Sequence, residues 1–192
     1  MKNIKLNILI AAGLIIMAGV ARIVNHEMHL YNFAPLCALG LFSGAVIKDK
    51  RIAFLLPLLA QFMGDTYIAL FTTWQGFYGI EQFFVYVSLL AVTLLGGGIS
   101  QPKALRVLGF TVLGSVVFFA LSNFGVFLSM QLGKTDLYHY GTGLTGLANT
   151  YIAAIPFFKN TLIGDLSGSI LLFGAYYLLR SEEHTSELQS RF

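Results

Sequence analysis

The sequence consists mainly of long apolar runs separated by short breaks that are charged or rich in turn residues. Only 11% of the residues are charged and 56% are hydrophobic, whereas a soluble domain carries about 25% charged residues. A helix needs about 20 apolar residues to cross a bilayer. The runs therefore predict an all-α, polytopic membrane helical bundle in contact with the lipid bilayer, and they exclude a soluble enzyme or a nucleic-acid-binding protein.

Six runs are long enough to count as candidate transmembrane helices in one domain over residues 1–179. They lie at about 4–24, 33–47, 52–71, 83–100, 107–131 and 160–179. The second run has Pro35 near its start, which suits a helix N-terminus, and its short length favours a tilted or partly re-entrant helix. The first run could be a signal peptide, but its length and the five runs after it favour an uncleaved helix.

The distribution of basic residues predicts the orientation of this bundle. Short cytoplasmic loops are enriched in lysine and arginine. Seven basic residues fall on one predicted side, namely Lys2, Lys5, Lys48, Lys50, Arg51, Lys103 and Arg106. Three fall on the other side, namely Arg22, Lys134 and Lys159. Both termini are therefore predicted to be cytoplasmic.

The longest predicted extracytoplasmic segment is 132–159. Its glycine-rich stretch 141–146 leads into the apolar stretch 147–155, which predicts an interfacial or re-entrant helix that ends at Pro156. A seventh span at this place is the alternative, and it would put the C-terminus outside.

The last residues differ from the rest of the chain. Residues 180–192 are dense in charge and polar groups, and the string from Arg180 to Ser190 resembles the in-frame translation of a common sequencing adapter. We expect this tail not to be native and exclude it from functional reasoning. A genuine polar cytoplasmic tail is the alternative.

Polar residues within the apolar runs provide the candidate site. Ionisable groups inside a membrane are costly and usually face a cavity or a partner. Counted along the predicted helices, several of them share the outer third of the bundle. This depth predicts an outward-opening, substrate-binding pocket lined by Arg22, Asn32, Asp65, Asn123 and Asp165. The alternative is that Arg22 pairs with Asp65 or Asp165 only to hold helices together.

Motifs for catalysis, metals and nucleotides are not found. The stretch His26-Glu-Met-His29 resembles a zinc-protease motif, but that motif needs histidines four positions apart, and position 30 is leucine. The glycines at 96–98 lack the lysine of a phosphate-binding loop. The single cysteine, Cys37, excludes an internal disulfide. We therefore predict no catalytic residues, no metal, no cofactor and no ATP site.

Small residues four positions apart predict close contacts between helices. The pairs are Ala34/Ala38, Gly40/Gly44 and Gly164/Gly168.

Several stretches together resemble a known family. These are residues 32–44, the stretch from Pro57 to Asp65, Ser122-Asn-Phe-Gly125 and residues 154–165. They are similar to a bacterial integral-membrane family known as a domain of unknown function. That family is in turn similar in size and layout to the S components of energy-coupling-factor vitamin transporters, which bind a solute from outside and rely on a partner for ATP hydrolysis.

This resemblance implies a small-solute-binding transporter subunit in the bacterial cytoplasmic (inner) membrane. Such a subunit would have a small-molecule ligand and a transmembrane or ATPase energy-coupling partner, and it would not itself be an enzyme. The alternative is a structural membrane protein of a cell-envelope assembly.

Overall fold

The structure is a computed structural model that describes residues 2–30, 33, 35–135 and 138–189. The described residues form six α-helices and no strands. The helices are α1 (Lys2–Glu27), α2 (Leu36–Val46), α3 (Lys50–Phe71), α4 (Gly79–Gly96), α5 (Ala104–Gln131) and α6 (Gly143–Gln189). The predicted all-α bundle is thus confirmed.

Among the residues that the structure describes, four helical segments are long and apolar enough to cross a membrane. They are Lys50–Phe71, Gly79–Gly96, Ala104–Gln131 and Gly143–Leu179. The helix α2 is also apolar, but it has only 11 residues, which is shorter than the run expected there.

The short helix α2 forms the centre of the bundle. It contacts each of the other five helices, and all residues from Leu36 to Gly44 are buried. Small residues allow this close packing, as predicted for Gly44, where an added Cβ would collide with the backbone carbonyl of Thr93 in α4. Gly96 was not among the predicted residues, and a Cβ added there would collide with the backbone of Leu41.

Several polar residues are buried inside the bundle together with its apolar core, and many large apolar residues lie on the outside. Asp65, Asp165, Ser115 and Thr111 are fully buried, whereas more than half the surface of many leucines and isoleucines is exposed, as in Leu105. Lipid can cover such an apolar exterior, and buried polar groups then join the helices. The architecture is compatible with an integral membrane protein.

The last helix corrects the prediction for residues 132–159. Residues from Gly143 onward already belong to α6, which continues through Pro156 instead of ending there. A proline removes one backbone hydrogen bond, but unpaired backbone groups in an apolar environment cost several kcal/mol each. Remaining helical on both sides of Pro156 keeps the other groups paired, and α3 passes through Pro57 in the same way.

Candidate functional site

An ion pair between α1 and α3 lies at one end of the bundle. The Arg22 guanidinium donates through Nη2 to Oδ1 of Asp65. The arginine side chain crosses α3 at Gly64, where an added Cβ would collide with it. The sequence-based expectation that Arg22 pairs with one of the two aspartates is confirmed for Asp65.

Asp65 is fully buried and has further hydrogen-bond donors. Gln61 Nε2 lies 3.0 Å from both carboxylate oxygens, and Gln82 Nε2 donates to Oδ2 at 2.9 Å. The Tyr86 hydroxyl is 3.4 Å from the same oxygen. These donors satisfy the acceptor positions of the two carboxylate oxygens. The main effect of Asp65 on its surroundings is therefore that its charge neutralises Arg22.

Asp165 lies elsewhere, at the N-terminus of α2. Its Oδ1 accepts a hydrogen bond from the backbone N–H of Ala38 at 3.3 Å, and its Oδ2 accepts one from the Ser115 hydroxyl at 2.8 Å. Pro35, which precedes α2, gives no side-chain cap. Asp165 therefore caps α2 from another helix, where the positive end of the helix dipole favours a carboxylate.

The two aspartates do not share one depth, in contrast to the expectation from sequence. That expectation counted Asp165 as about one turn into the last helix. Because α6 begins at Gly143, Asp165 lies 22 residues after the first residue of that helix. At 1.5 Å per residue this corresponds to about 33 Å along α6. Asp65 is only six residues from the end of α3.

A cavity of about 550 Å³ opens near the Arg22 end of the bundle. This volume falls within the range of small-molecule sites. From α1 and the α3–α4 connection it is lined by Arg22, Trp74 and Tyr78. From α4 and α5 it is lined by Glu81, Val85, Phe118, Phe119, Ser122, Asn123 and Val126. Tyr138 and Tyr140 precede α6, which adds Thr150, Ala153, Ala154, Phe157, Phe158 and Thr161.

Two of the five residues predicted to bind substrate line this cavity, namely Arg22 and Asn123. Asp65 contacts the cavity only through Arg22, and neither Asp65 nor Asp165 is part of the lining. Asn32 is outside the residues that the structure describes. The side-chain amide of Asn123 donates to the Phe119 carbonyl of its own helix at 2.8 Å.

The α6 wall of the cavity was missed because most of its residues fall within 132–159, which was predicted to be an extracytoplasmic segment with an interfacial or re-entrant helix. Its lining residues follow one helical face, at positions 150, 153, 154, 157, 158 and 161. This spacing of three and four residues is the signal that could have identified the wall.

Aromatic rings form much of the lining. The rings of Phe119 and Phe158 pack with centroids 4.9 Å apart, and Tyr138 stacks on Tyr140 at 5.8 Å. Trp74 is the single tryptophan of the chain and is 60% exposed. Rings of this kind can bind a flat ligand by stacking.

Glu81 is, with Arg22, one of two formally charged residues in the described lining, and sequence reasoning did not include it among the binding residues. Its side chain is buried and is hydrogen-bonded to the side chains of Ser129 and Thr135. No lysine, arginine or histidine among the described residues forms an ion pair with it.

Two tyrosines in the connections at the cavity have raised pKa values, which favours their neutral form. Burial raises the pKa of Tyr78 to about 12, with a further rise from the Asp65 charge and an opposing effect of Arg22. Burial also raises the pKa of Tyr138, as do the charges of Glu81 and Tyr140. Both hydroxyls therefore remain neutral hydrogen-bonding groups at neutral pH.

A metal site would need several ligating side chains close together. In the part of the chain that the structure describes, no three histidine, cysteine, aspartate or glutamate side chains are grouped to hold a metal ion. The His26 ring packs edge-to-face on Trp74 at 6.2 Å.

Comparisons with known proteins give a family but no named relative. No curated protein and no solved structure matches the chain. Residues 2–188 match the family of unknown function DUF6580. The protein, a helical bundle with an aromatic cavity beside a buried ion pair, thus belongs to the family DUF6580.

Proposed function

We propose that this protein is an integral membrane protein of the bacterial cytoplasmic membrane that binds a small molecule in the aromatic cavity. The observation that carries this proposal is the cavity itself: it has a volume of about 550 Å³, aromatic walls and a few polar side chains, Arg22 and Glu81 among them. Sites for small ligands combine these features.

The proposed role is that of a transporter subunit similar to the S components of energy-coupling-factor transporters. The chain has no nucleotide-binding motif, so transport would depend on an ATP-hydrolysing partner. We propose binding and transfer of a solute, without catalysis.

We further propose that the cavity opens to the outside. Lys48, Lys50 and Arg51 lie at the α2–α3 turn, and Lys103 and Arg106 lie at the start of α5. These positions are at the opposite end of the bundle from the α3–α4 and α5–α6 connections, which border the cavity. The positive-inside rule then assigns the cavity to the outer side.

Labelling of single cysteines in intact cells tests this orientation. Cys37 is buried, so an introduced cysteine supplies the accessible thiol. We expect an impermeant reagent to label Lys134→Cys and not Lys50→Cys. Labelling of position 50 alone would overturn the proposed orientation.

Native mass spectrometry of the gently solubilised protein tests ligand binding. We expect a small-molecule adduct on the wild type. Ala154→Phe should lose this adduct because a phenyl ring there fills the cavity, whereas Ile155→Phe should keep it because Ile155 is 59% exposed. Absence of an adduct from every preparation, or equal loss in both variants, would contradict the proposal.

A structural role in an envelope assembly is the second candidate. It is favoured by the fact that Asp65 and Asp165 join four pairs of helices through hydrogen bonds within the bundle. In that case the same spectra should show a stable protein partner and no small-molecule adduct.

A further inference from the structure

The cavity contains a carboxylate that forms no ion pair with any cationic side chain in the described part of the chain. Glu81 is 5% exposed and lines the cavity. Its hydrogen-bond partners, Ser129 and Thr135, are uncharged. A buried carboxylate that has only neutral partners gains strongly when a positive charge comes close.

The cation in the lining is already neutralised. Arg22 forms an ion pair with Asp65, and its side chain is 22% exposed. The charge of the guanidinium is therefore balanced from within the bundle. Taken together, Arg22, Asp65 and Glu81 carry one net negative charge when both acids are ionised.

The aromatic side chains of the lining also favour a positively charged ligand. Trp74, Tyr78, Tyr138 and Tyr140 all line the cavity. The faces of these rings carry negative electrostatic potential, and tryptophan and tyrosine bind organic cations through it.

We propose that the cavity is selective for a flat organic cation, with the positively charged nitrogen beside Glu81 and the ring against the aromatic walls. This inference rests on the proposed function, and it adds the chemical class of the ligand. A carboxylate and several aromatic faces together discriminate against an anion of the same shape.

Three probes of nearly equal shape test this selectivity: 1-methylnicotinamide, which is a cation, nicotinamide, which is neutral, and nicotinate, which is an anion. Quenching of Trp74 fluorescence in the solubilised full chain reports binding, because Trp74 is the single tryptophan and lines the cavity. We expect the cation to bind at least tenfold more tightly than the neutral probe, and the anion to bind most weakly.

The variant Glu81→Gln separates the carboxylate charge from the shape of the cavity. Glutamine can still accept hydrogen bonds from Ser129 or Thr135, so the neutral probe should bind as in the wild type while the preference for the cation falls to within twofold. The matched control Glu27→Gln removes a carboxylate that is exposed and is not part of the lining, and it should keep the tenfold preference.

The outcomes separate this inference from the proposed function. Tightest binding of nicotinate, a cation preference that survives Glu81→Gln, or failure of all three probes to bind would overturn the inference. Equal binding of the cation and the neutral probe would overturn it as well, while leaving small-molecule binding intact. The proposed function is judged separately by the adduct and its loss in Ala154→Phe.

Discussion

The two buried aspartates follow the same residue, glycine, and yet have different surroundings. Asp65 faces a guanidinium at the edge of the cavity, whereas Asp165 receives a backbone N–H and a serine hydroxyl at the centre of the bundle. Both are fully buried. The difference shows that an apolar bundle can stabilise a carboxylate either with a counter-charge or with the N-terminus of a helix.

The largest expected effect is that of removing the charge of Asp65. Asp65→Asn leaves Arg22 without its counter-ion. Loss of one partner costs about 3–5 kcal/mol of unfolding free energy in a fully buried ion pair, and we expect about 2–3 kcal/mol here because the Arg22 side chain is 22% exposed. A thermal melt in detergent measures this loss. Asp49→Asn is the matched control, because Asp49 caps α3 at an exposed turn and asparagine caps equally well.

A second substitution checks the cause of that loss. If the unpaired guanidinium is responsible, Arg22→Met in the Asp65→Asn background should restore most of the stability. A double variant that melts as low as Asp65→Asn would show that the ion pair is not the main contribution of Asp65.

A smaller effect is expected at Asp165. Asp165→Ala removes the cap of α2 and should lower the unfolding free energy by about 2 kcal/mol. Asp165→Asn retains an oxygen for the Ala38 N–H and should cost about 1 kcal/mol or less. Neither variant should change binding to the cavity, since Asp165 is not part of its lining. Loss of binding in Asp165→Asn would contradict this assignment.

The close approach of α6 to the segment before α2 allows Asp165 to act as a cap. A Cβ on Gly164 would collide with the backbone carbonyl of Phe33, so Gly164→Ala should cost at least about 1 kcal/mol. Gly174→Ala lies on the same helix with nothing within 4 Å of the added Cβ, and it should be neutral or stabilising. Equal melting temperatures of the two variants would exclude this close contact as a constraint.

The smallest expected effect is on the titration of Tyr78. Its pKa is raised to about 12, so its contribution to stability is present below pH 10 and is lost as the pH rises through 12. Because the Asp65 charge contributes to this rise, Asp65→Asn should lower the pKa, whereas Asp165→Asn should not. Phenolate absorbance, compared with Tyr78→Phe in each background, measures the shift.

The sequence determined the class of fold and indicated that Arg22 has an acidic partner. Apolar runs long enough to cross a bilayer predicted the helices. Because charged residues cannot be buried in lipid without compensation, the few ionisable residues among these runs predicted a pairing of Arg22. Small residues four apart also predicted the tight packing at Gly44 and Gly164. These features depend on local composition, which can be read along the chain.

Only the tertiary structure decided which polar residues meet. Pro156 indicated a helix end, but packing on both sides keeps α6 helical from Gly143, and this moves Asp165 away from the cavity and brings Ala154 and Phe158 into it. Glu81 likewise lines the cavity because helices that are distant in sequence pack together there. Which neighbours a buried charge finds depends on the packing of all the helices together, and no short stretch of sequence contains that information.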